Sequence, residues 1–320
     1  MAATFVAPAP APDADALRRT LTQVDARRRR TDVTMRVLVY GAFALALVPL
    51  VSLVWSVLAR GLGRFDLYFL THSMRNVYGG MDAGGAYHAL LGTLLITLLA
   101  ALISVPLGLL TAIYLVEYGS GHLARAVTFF VDVMTGIPSI VAGLFAFALF
   151  FLVAGPGARN GFVGAVALSV LMTPVVIRST EEMLRLVPNE LREAAYALGV
   201  PKWLTIVKVV LRTSIAGITT GVMIAIARVI GETAPLILTV GVNPSINRNV
   251  FEGNMMTLPV YVYNQFASGL VPCRAGQEDC IATINYDRAW SAALTLILVV
   301  MLLNLVARLV SRWFAPRTRA

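Results

Sequence analysis

Six apolar runs of roughly twenty residues or more, separated by charged or glycine-rich stretches, leave this chain few folds to choose from. They extend approximately from Met35 to Leu58, Ala86 to Val116, Val127 to Ala154, Gly161 to Thr180, Ser214 to Val240 and Ala289 to Val310. A hydrocarbon layer of about 30 Å supplies no water to the backbone, so such a segment satisfies its own N–H and C=O groups as a helix. The expected fold is all-α, a polytopic membrane protein with six transmembrane helices. A hydrophobic fraction of 58% against 13% charged residues excludes an ordinary soluble domain.

The charges orient the spans. With the N-terminus inside, 17 of the 26 Lys and Arg fall on the side of both termini and seven on the other, which predicts cytoplasmic termini. Residues 1–34 are expected to form a disordered and basic arm, unstructured from Met1 to Ala16 and, from Leu17 to Arg36 with Arg27 to Arg30 consecutive, a cytoplasmic helix or arm near lipid headgroups; residues 35–312 are expected to form the membrane domain and residues 313–320 a tail. Orientation and anionic lipid account for the net charge of +9. Basic residues scattered over several segments with little aromatic interleaving give no reason to expect nucleic acid. The two cysteines, Cys273 and Cys280, share one outer loop, where a disulfide can persist. His72, His88 and His122 are scattered, so no metal site is expected, and no phosphate-cradling glycine loop precedes Lys202 or Lys208.

Between the fourth and fifth runs lies a polar island, Asn189 to Trp203. Pro188 and Asn189 open a short helix, Glu190 and Glu193 place negative charge in its first turn, and Gly199 with Pro201 closes it. Leu191, Ala194, Ala195 and Leu198 fall on one face, with Arg192 and Glu193 elsewhere, so the sequence predicts a flat docking face. Glu193-Ala194-Ala195 followed by Gly199 resembles the EAA motif of importer-type ABC transporter permeases. That resemblance implies a coupling helix, at about 189–199, seated in a cytoplasmic ATPase. The family pattern continues towards Ile-x-Leu-Pro, whereas this chain has Val209, Leu211 and Arg212 at those places.

Pro106, Gly136-Ile137-Pro138 and Thr173-Pro174 put a helix breaker into three successive spans, which suggests a bundle that moves or lines a cavity. In the fifth span Arg228 and Glu232 are four residues apart and are expected on one helical face. Such groups at depth cost at least about 2.5 kcal/mol each, so they face a bundle interior, a water path or each other. One reading is a structural clamp. The other is an anion path in which Arg228 meets an oxyanion through its planar fork and Glu232 limits how tightly it binds. Arg178 is a second candidate station, or an end residue reaching for the interface. The apolar patch Met255 to Tyr263, too short to span, is, together with the cysteine hairpin, either a receiving surface for a soluble binding protein or a structural cap.

The run Ala227 to Leu236, with Tyr196 to Trp203, resembles the permeases of the phosphate-specific transport system, and the short N-terminus with six spans resembles its A-type subunit. The resemblance implies a bacterial plasma membrane protein that takes up inorganic phosphate. It also implies a homologous second permease subunit, a cytoplasmic ATPase dimer and an external phosphate-binding protein. No cofactor is expected in this chain, since ATP and Mg would be bound by the partner ATPase. Physics alone asks only for a small anion, so an ABC permease for sulphate or molybdate is the alternative. A membrane-embedded phosphotransfer enzyme, the alternative of another class, would need clustered acid, His or Lys groups that the sequence lacks.

Overall fold

The computed structural model describes residues 26–155, 157–273 and 280–314. Residues 1–25 of the expected arm and 315–320 of the expected tail lie outside the described residues. The chain divides after Ser56 into two units.

In the first unit, α1 (Ala26–Gly61) is helical from the start of the arginine cluster. Over residues 26–34 the arm is helical, the helix alternative offered for its basic stretch. Arginine is a good helix former, and the Arg36–Asp32 pair at 2.8 Å adds an i,i+4 contact.

The second unit continues with α2 (Leu67–Thr71), capped by the Asp66 carboxylate, which accepts from the Phe69 N–H. Next come α3 (Tyr87–Ile113), which runs into a single π-type turn at Tyr114–Tyr118, then α4 (Gly121–Gly136), α5 (Ser139–Ala154) and α6 (Gly161–Arg185). After these follow α7 (Asn189–Ala197), α8 (Lys202–Thr205), a second π-type turn (Ile206–Val210) and α9 (Leu211–Ile230). The last three helices are α10 (Ala234–Thr239), α11 (Leu258–Ser268) and α12 (Ile284–Phe314). Among the described residues five helices are long and apolar enough to cross a membrane, six if α4 and α5 make one crossing.

The breakers act unequally. α3 runs through Pro106 and α6 through Pro174. At Ile137 and Pro138 the backbone turns extended, and α4 and α5 meet at 108°, so the third apolar run is not one straight helix. The difference lies in the neighbours. A residue before proline is pushed out of the helical region, as Ile137 is. Along α6, by contrast, Gly108 of α3 lies against Val176 and the Ser104 hydroxyl donates to the Ser169 carbonyl at 3.3 Å. This packing holds both helices together past the prolines. Small residues allow the approach, since lipid gives apolar side chains no reason of their own to associate.

The patch Met255 to Tyr263 is not the expected receiving surface. Met255 through Tyr261 are buried, the Met255 N–H donates to the Val240 carbonyl at 2.9 Å, and the Leu258 N–H donates to Thr93 Oγ1 at 2.8 Å. Gly92 of α3 rests directly on the Met256 carbonyl. The segment is part of the core. Burial pushes the Tyr261 phenol up, so it stays protonated.

Candidate functional site

The sequence-predicted groups lie at two places, one at the α7 end of the bundle and one within it. At the α7 end, Gly199 adopts φ 76°, the Val200 N–H donates to the Ala195 carbonyl at 3.1 Å, and the helix is closed by a glycine cap. Glu193 and Ala194 are exposed, with Leu191 and with Leu198 at 84% exposure. Ala195 is buried, which corrects its expected place on the outward face. The true outward face is Leu191, Ala194 and Leu198, while Arg192 and Ala195 turn towards the protein.

Arg192 is the group that sequence reasoning passed over. Its Nε and Nη2 donate to Glu117 Oε1 at 3.1 and 2.9 Å, and Nη1 donates to the Val187 carbonyl at 2.6 Å and to Asn189 Oδ1 at 3.2 Å. Nη2 also reaches the Leu184 carbonyl at 3.0 Å. A lone acid, Glu117, at the end of an apolar run was the available signal. Nearby, the Lys202 ammonium sits 4.6 Å from the Tyr118 ring centre.

Arg178 is also committed. It pairs with Asp132 of α4 and donates to Glu181 Oε2 at 2.9 Å, while Arg185 donates to Glu181 Oε1 at 2.5 Å. This network, rather than a free guanidinium awaiting an anion, is where the structure places Arg178.

Within the bundle, the fifth apolar run is broken. α9 ends at Ile230, the Glu232 N–H donates to the Val229 carbonyl at 3.1 Å, and the chain restarts as α10 with Pro235 in its first turn. Pro235 has no N–H to continue the ladder. Arg228 therefore lies in the last turn of α9 and Glu232 in the break. They do not share a helical face, which corrects the four-residue argument. Neither side chain has an ion-pair or hydrogen-bond partner among the described residues, so the clamp is not made. Arg228 is exposed and Glu232 half-buried.

Contacts on α6 fix the depth of this break. Gly221 lies against Ser179, and Gly164 lies against Val240 and Leu236. Arg228, between those levels, is close to the middle of α6. On the other side of the break, Pro235 packs against Gly143 of the bent helix α5. Two interrupted helices thus meet beside one uncommitted arginine at mid-depth. A charge there does not face lipid cheaply, and water or a partner surface is the remaining environment.

At the end opposite α7, Cys273 and Cys280 form a disulfide with Cα atoms 5.8 Å apart. Among the described residues no cluster of His, Cys, Asp or Glu is arranged to hold a metal.

Residues 104–320 match the family described as binding-protein-dependent transport system inner membrane component. The phosphate transport system permease protein PstA 1 of Mycobacterium tuberculosis is 49% identical over 92% of this chain and 92% of its own length. The PstA of Yersinia pestis is 37% identical over 89% of this chain and 90% of its own. Among solved structures, a bacterial alginate ABC transporter in complex with an alginate pentasaccharide-bound periplasmic protein aligns with a TM-score of 0.62 at 14% identity, covering 88% of this chain and 95% of that one. The inward-facing MetNI methionine ABC transporter aligns at 0.52 and 19% identity, over 72% and 95%. At such identities these structures speak for the fold alone.

Proposed function

We propose, from the premise that this chain belongs to the binding-protein-dependent transport inner-membrane components and within them to the PstA phosphate permeases, that Arg228 is the station at which the transported anion is met. The chain is the permease subunit of a phosphate ABC importer, a multi-pass protein of the inner membrane, and not an enzyme. A permease of this kind works with a partner permease, an ATPase and a binding protein.

In the finer reading, the partners are a homologous second permease, a cytoplasmic ATPase dimer that binds ATP and Mg, and an external phosphate-binding protein. The α7 end faces the cytoplasm together with both termini, in keeping with the excess of Lys and Arg on that side. The exposed Leu191, Ala194 and Leu198 face, with Glu193 and Gly199 shaping its helix, docks on the ATPase.

The observation that carries the Arg228 assignment is its freedom. Arg178, Arg185 and Arg192 hold carboxylates and Arg228 holds none, although it lies at mid-depth beside a helix break. Its planar fork donates two parallel hydrogen bonds to an oxyanion and stays charged at any relevant pH. Glu232, near it in the break, repels an anion and keeps the site from becoming a trap. Phosphate passes between this chain and its partner permease, as ATP-driven movement of α7 reaches the interrupted helices.

Uptake by cells lacking their own permease, with sulphate and molybdate offered as rivals, tests the substrate. Restored phosphate uptake that neither rival suppresses is expected. Restored sulphate uptake without phosphate uptake would overturn the reading.

A further inference from the structure

α7 hangs from α6 by three residues, Leu186, Val187 and Pro188. A link of that length leaves a helix free to pivot, and a pivoting helix would absorb a push instead of passing it on. Arg192 removes the pivot. Its side chain, 13% exposed, makes the five hydrogen bonds given above, to Glu117, to the Leu184 carbonyl at the end of α6, to the Val187 carbonyl in the link itself, and to Asn189 at the start of α7. Glu117, only 5% exposed, stands in the π-type turn that ends α3. One side chain therefore ties α7 to the ends of two membrane helices that already pack along their length at Gly108 and Ser104.

We infer that Arg192 and Glu117 form the joint that makes α7, α6 and α3 move as one body, so that displacement of α7 reaches the membrane instead of being lost in the link at residues 186–188. Arg192 is a positioning residue: on its buried side it touches neither anion nor ATPase. The inference rests on α7 being the helix that an ATPase moves.

The test uses the assembled importer in liposomes, reading both phosphate moved and ATP hydrolysed. Glu117→Gln keeps the size and an acceptor oxygen but removes the charge, and Arg192→Lys keeps the charge but removes the planar fork. Each is expected to assemble and to hydrolyse ATP, while phosphate moved per ATP falls about tenfold. Transport and hydrolysis that decline together, with their ratio unchanged, would reduce the pair to a structural contact and overturn the inference. Failure of both variants to reach the membrane would do the same. The underlying reading fails separately: if Leu198→Asp still co-purifies the ATPase, α7 is not the docking helix, whatever the ratio for Glu117→Gln.

Discussion

Arg288 and Arg228 are both guanidinium groups within an apolar chain, and their surroundings could hardly differ more. Arg288, in the first turns of α12, is 1% exposed. It donates to the Met81 carbonyl at 2.7 Å, to the Ala83 carbonyl at 2.7 and 3.2 Å, and to Asn285 Oδ1 at 3.4 Å. Arg228 is exposed and holds no partner among the described residues. An arginine whose donors are saturated by backbone carbonyls fastens a loop. One left bare at mid-depth is available to something that comes and goes.

If this contrast is right, substitutions around Arg288 damage folding and substitutions at Arg228 do not. Arg288→Ala removes a buried side chain and its charge-assisted bonds to the Met81 and Ala83 carbonyls, which keep only the Ala83 N–H at 2.8 Å and Arg64 Nη2 at 3.1 Å; the change costs about 3 kcal/mol and is expected to lower the thermal midpoint in detergent and the level in the membrane. A midpoint equal to that of the parent protein would break the comparison. The same loop is held from its other side, where the Ile281 N–H donates to the Gly80 carbonyl at 2.9 Å next to the disulfide. Replacing Cys273 and Cys280 by serine should cost about 2 kcal/mol, seen as faster proteolysis of the loop, with uptake retained. Gly92→Ala, which drives a methyl group into the Met256 carbonyl, is expected to cost about 1 kcal/mol in the same thermal assay. Arg228→Gln should change stability by less than about 0.5 kcal/mol in the same assay, since no partner among the described residues is lost.

Much of the fold was legible because lipid simplifies the problem. Apolar length and charge placement marked the spans, and the Pro188 to Gly199 signals bounded α7 nearly to the residue. The misses have a common cause. Whether a proline breaks a helix depends on what packs beside it, so Pro106 and Pro174 pass unnoticed while Pro138 bends the chain by 108°. The pattern likewise could not show that α9 stops at Ile230 and leaves Glu232 outside the helix that carries Arg228. Nor could it say which charges are already paired. Glu117 and Arg192 lie 75 positions apart, and only the packing of α3 on α6 brings them together.

Arg228 is left free for the anion to use. The most direct test of this is phosphate uptake by Arg228→Gln in cells lacking their own permease, normalised to the amount of assembled complex. Loss of a bidentate, charge-assisted contact of about 1.5–3 kcal/mol predicts a fall of about tenfold to a hundredfold with the complex intact. Uptake at the level of the parent protein would contradict the account and leave the bare arginine without a role in transport.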